Sequence, residues 1–160
     1  MDFESFKQAV IARCHQLGIT EYELYYANSE STCIGAFQHE INQFTGAAQG
    51  GVCFRCIVDG KMGYASTEDI SPEQAAALVE RAADNAACLE TEDQVFLGQG
   101  GQVYQAPALN HYPLPATEQL LSAVLQTQEA LYATDEKVID GSSTQGISES
   151  NRIAIYNSKG

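Results

Sequence analysis

Three short stretches of the sequence contain residue types that do chemistry. The first is Cys53-Phe54-Arg55-Cys56, the Cys-x-x-Cys spelling of zinc knuckles and thiol oxidoreductases. Two thiolates at that spacing can grip a metal or exchange a disulfide if a turn or a helix N-terminus brings them together and lowers their pKa. Here the neighbouring residues alternate, with Val52, Phe54, Cys56 and Val58 in one set and Cys53, Arg55 and Ile57 in the other. On a strand, that alternation sends the two sulfurs to opposite faces. No second Cys-x-x-Cys accompanies the pair, because Cys14, Cys33 and Cys88 stand alone. Two inert strand thiols are therefore expected, and a thiol or metal module built on Cys53 and Cys56 is the alternative.

The second stretch is His39-Glu40. A helical His-Glu-x-x-His sets two imidazoles one turn apart around zinc, with the glutamate as base. The second histidine is missing, since Gln43 and Phe44 occupy the positions where it would fall. An exposed polar pair at a strand edge or turn is expected. The third stretch is Gly98-Gln99-Gly100-Gly101, which could cradle a phosphate. No Lys-Ser or Lys-Thr follows, no helix begins nearby and the surroundings are acidic, so it reads as a loop. His15 and His111 have no partner that the sequence can name. The sequence thus assigns no catalytic, cofactor-binding or metal residue within these 160 positions.

The elements that would carry these residues follow from apolar spacing. Phe6, Val10, Cys14 and Leu17 predict an amphipathic helix over 3–17, with Asp2 as N-cap and Gly18 as terminator. Glu21–Ala27 predicts a strand, and Asn28-Ser29-Glu30-Ser31 a reversal after it. Two more strands are expected, one through Thr32, Ile34 and Ala36, the other over Ile41–Thr45 ahead of Gly46 and Gly50-Gly51. Asp59-Gly60 is a type I′ turn signal, which pairs the 52–58 strand with Lys61–Ala65. Ser71-Pro72-Glu73-Gln74 is a capping box that starts a helix at 72, buried through Ala75, Leu78, Val79, Ala82, Ala83 and Ala86. Residues 90–115 predict a long irregular connection. A further helix is expected over 117–133, capped by Thr117 and buried through Leu120, Leu121, Val124, Leu125, Leu131 and Tyr132. Lys137–Gly146 and Arg152–Tyr156 read as the last two strands. The fold class is α+β, an antiparallel or mixed sheet with about three helices packed on it.

Composition limits the function. Twenty-one acidic residues against eight basic ones give a net charge of −13, which repels phosphate backbones and anionic lipid headgroups. Nucleic-acid and membrane partners are not expected. No apolar run approaches the roughly 20 residues needed to span a bilayer, and Met1-Asp2-Phe3-Glu4 lacks the basic start of a signal peptide. A cytoplasmic location is the default, and five cysteines without a disulfide pattern suit it. Residues 1–160 are the right size for a single domain.

The run Gly60-Lys61-Met62-Gly63-Tyr64-Ala65-Ser66-Thr67-Glu68-Asp69, preceded by Gly51-Val52-Cys53-Phe54-Arg55, resembles the amino-terminal domain of the TldD/PmbA family of predicted metallopeptidases. Glu23-Leu24-Tyr25-Tyr26, the alanine-rich stretch from Leu78 to Ala86, and Ile153-Ala154-Ile155-Tyr156-Asn157-Ser158-Lys159-Gly160 are similar to further segments of that family, in the same order. The resemblance implies that 1–160 is the non-catalytic amino-terminal α+β domain of a longer protein, also called a modulator of DNA gyrase. In peptidase-type members, zinc is then held by a His-Glu-x-x-x-His motif and a later cysteine in a downstream domain. The Glu-Leu-Tyr-Tyr and Tyr-Ala-Ser-Thr-Glu-Asp spellings look closer to the zinc-free PmbA type. The implied role is subunit assembly or peptide access in proteolysis, with a TldD/PmbA-type partner subunit or a homodimer and a peptide as substrate. A stand-alone interaction domain is the other alternative.

Overall fold

Asp2 caps the first helix, its carboxylate accepting from the Ser5 N–H at 2.8 Å. The computed structural model describes residues 2–91, 93–99, 112–139 and 143–160. α1 (Phe3–Leu17) buries Phe3, Phe6, Val10 and Cys14 and ends at Gly18, which sits at φ 70°, a left-handed conformation that costs a glycine little. β1 (Glu21–Phe37), β2 (Glu40–Val58), β3 (Lys61–Thr67) and β4 (Thr144–Asn157) form one antiparallel sheet in the order β3-β2-β1-β4. α2 (Pro72–Ala87) follows β3, and α3 (Thr117–Tyr132) precedes β4. The described parts of 90–115 contain no helix or strand. The fold is α+β.

The described residues of Met1–Asn28, Gly50–Ala106 and Arg152–Gly160 make one compact unit, and those of Ser29–Gln49 and Pro107–Asn151 a second. In the first unit, Phe6 and Val10 of α1, Leu24 of β1, Phe54 of β2 and Leu78 and Val79 of α2 share one fully buried core. The β2–β3 hairpin turns at Asp59 (φ 49°) and Gly60 (φ 76°), the expected type I′ geometry, and pairs Arg55 with Tyr64 and Cys56 with Gly63. Ser71 Oγ accepts from the Gln74 N–H at the start of α2. Gly63 lets α2 lie directly on β3, because a Cβ there would stand 1.8 Å from the Ala82 carbonyl oxygen. The alanines of α2 serve the same close approach.

The second unit has a thinner core, in which Ile34 and Ala36 of β1 meet Val124 of α3. Several expectations fail in this unit and at its borders with the first for one reason. β1 does not reverse at Asn28–Ser31 but runs on to Phe37, and β2 runs from Glu40 through Gly46 and Gly50-Gly51. Arg152–Tyr156 does not start a new strand but lies within β4, which also carries Gln145-Gly146 and the polar run Ser148–Asn151. Interstrand hydrogen bonding satisfies the backbone along these stretches, and this outweighs their turn-like composition. Lys137–Ile139 is not strand, because the Asp135 carboxylate accepts from the Lys137 N–H and turns the chain. Asp140–Ser142 lie outside the described residues.

The reversal between β1 and β2 falls instead at Gln38 (φ 51°) and His39 (φ 65°), two non-glycine residues in left-handed conformations. Gln128 of α3 braces that turn. Its Oε1 accepts from the His39 N–H at 2.8 Å and its Nε2 donates to the Ala36 carbonyl at 2.9 Å, with the side chain fully buried. Tyr132 adds a ring contact with His39 at 4.6 Å. The buried face of α3 is therefore Val124 and Gln128, while Leu120, Leu121, Leu125, Leu131 and Tyr132 are half-buried. Its N-cap is Ala116, not Thr117, and Gln119 Oε1 accepts from the Ala116 N–H at 2.9 Å.

Candidate functional site

The residues singled out by their chemistry do not converge. Cys56 is fully buried in the core of the first unit, while Cys53 lies half-buried on the opposite face of β2. Burial pushes the Cys56 thiol up to about 11 and, together with the nearby Cys56, the Cys14 thiol up to about 12. Both are poor nucleophiles and poor metal ligands, because the thiolate is the reactive form. Sulfurs on opposite faces of one strand do not fit a shared zinc ion. His39 lies in the braced turn itself, and Glu40 begins β2. Gly98 accepts a hydrogen bond from Asn157 Nδ2 at 3.4 Å, while Gly100, Gly101 and His111 lie outside the described residues. Among the described residues, no three His, Cys, Asp or Glu side chains group so as to hold a metal ion.

What does converge is a polar row across the helix-free face of the sheet in the first unit. Arg55 of β2 lies opposite Tyr64 of β3 and forms an ion pair with Glu23 of β1 at 2.6 Å. Asn157 at the end of β4 completes the row, its Nδ2 donating to Glu23 Oε2 at 3.1 Å. The Tyr64 hydrogen bond and the Glu23 carboxylate hold the Arg55 guanidinium above its ordinary pKa. Alternation along each strand puts these four side chains on the face away from Leu24, Phe54 and Tyr156. Arg55 and Glu23 keep only 34% and 16% of their side-chain surface in water, so the pair is less screened than an exposed one.

Two surfaces flank the row. A groove of about 530 Å³ runs past Tyr25, Gly50, Gly51, Cys53, Ser66 and Glu68. Glycine is required along it, since a Cβ on Gly51 would come within 2.7 Å of the Thr67 carbonyl oxygen. A second recess, of about 550 Å³, is lined by Ile153, Ile155, Tyr156, Asn157 and Gly160 beside the edge of β4. This arrangement supplies main-chain hydrogen bonds, an apolar strip and a fixed ion pair, which are the means of binding an extended chain or another sheet. Alternation alone put Arg55 and Cys53 on one face. Glu23 and Asn157 as its partners were not legible, because pairing of β4 with β1 joins positions 134 residues apart in the chain.

Residues 22–86 match the family described as PmbA/TldA metallopeptidase domain 1. These residues belong to the first domain of the PmbA/TldD family. The matched stretch runs from Tyr22 of β1 to Ala86 of α2, so it contains the Glu23–Arg55–Tyr64 row and the β2–β3 hairpin. Three solved structures share the fold of this chain. A protein described as a candidate modulator of DNA gyrase from Thermotoga maritima superposes with a TM-score of 0.76 at 20% identity, over 99% of this chain and 36% of that one. TldE from Thermococcus kodakarensis gives 0.73 at 19% identity, over 94% of this chain and 35% of its own. A second candidate gyrase modulator, from Bacteroides thetaiotaomicron, gives 0.67 at 16% identity, over 98% and 37%. The chain thus spans a little over one third of the length of these relatives. No curated protein matches it in sequence. No helix among the described residues is long and apolar enough to cross a membrane.

Proposed function

We propose that this PmbA/TldD first domain is a non-catalytic part of a longer cytoplasmic protein, serving subunit assembly or peptide access in proteolysis. Zinc, in peptidase-type members, would be held by a downstream domain. The partner would be a TldD/PmbA-type subunit or a second copy, and the substrate a peptide. The observation that carries this reading is the Tyr64–Arg55–Glu23–Asn157 row on the helix-free face of a sheet that ends, among the described residues, at β4, within the family-matched fold. A strand edge reads main-chain groups, which suits a protein that must accept varied sequences.

The test uses the full-length polypeptide with Glu23→Ala and Arg55→Ala. Expected is weaker co-purification of the partner or a raised KM for peptide, with unchanged zinc content by elemental analysis. Stoichiometric zinc on residues 1–160 that is lost on Cys53→Ser would sink the reading. So would peptide hydrolysis by these residues that is lost on His39→Ala.

A further inference from the structure

No further inference is drawn: the strongest candidate, the groove of about 530 Å³ past Tyr25, Gly50, Gly51, Cys53, Ser66 and Glu68 on the helix-free face of the first unit, carries nothing, because nothing in the structure shows whether the rest of the polypeptide, a partner or a ligand covers it.

Discussion

The two units solve the same problem with different materials. The first fills its centre with large apolar side chains from two helices and two strands, including Phe6, Leu24, Phe54 and Leu78, all fully buried. The second buries Ile34, Ala36 and Val124, then relies on one buried amide, Gln128, to hold the strained turn between β1 and β2. A large apolar core tolerates variation in its polar details. A thin core makes individual hydrogen bonds decisive, because a buried polar atom without a partner costs roughly 1–3 kcal/mol.

The sharpest test of that contrast is a pair of truncations. Phe54→Ala should cost about 3–5 kcal/mol by urea denaturation. Val124→Ala should cost roughly 2 kcal/mol, at about 0.8 kcal/mol for each buried carbon removed and a small allowance for the cavity. Equal costs would break the comparison. Next, Gly63→Ala drives a methyl into the Ala82 carbonyl and should destabilise by at least the roughly 1–3 kcal/mol of an overpacked site, with greater hydrogen exchange in α2.

In the second unit, Gln128→Ala should cost roughly 1–3 kcal/mol and speed amide exchange at residue 39, while the first unit keeps its protection. Protection lost equally in both units would show that the amide's role is not local. The thiols probe the first core by pH. Cys14 and Cys56 have folded values raised above the ordinary 9.0, so the neutral thiol favours the fold. That contribution is complete below pH 9 and is lost as pH rises toward 11 to 12. Melting temperature should fall over that window, and Cys56→Ala should flatten the fall. The smallest effect is expected at the turn itself. Gln38→Asn with His39→Gly suits left-handed φ and should stabilise by about 0.4–1 kcal/mol.

The elements of the first unit were legible because each carries a local signal. Asp2 and Gly18 bracket α1, Ser71-Pro72 starts α2, and Asp59-Gly60 closes the hairpin. The second unit and its borders with the first were less legible, and the errors cluster. Asn28–Ser31, Gly50-Gly51 and Ser148–Asn151 all read as breaks, yet all lie inside long strands and next to the boundaries between the units. Their side chains carry no apolar alternation, so only the pairing of neighbouring strands keeps the backbone extended. At His39 a strand edge or turn was legible, but not its geometry, since Gln38 does not favour positive φ and the group that stabilises the turn lies 89 residues away.

For the candidate site, the sequence by itself determined that Cys53 and Cys56 diverge, because a strand alternates at every residue regardless of its surroundings. It also determined the acidic charge that disfavours nucleic acid, since charge is a property of composition. The tertiary structure alone decided that Glu23, Arg55, Tyr64 and Asn157 form one row and that β4 is the last strand of the sheet among the described residues. Strand order is set by which distant segments bury each other's surface and satisfy each other's hydrogen bonds, and no local spacing encodes that choice.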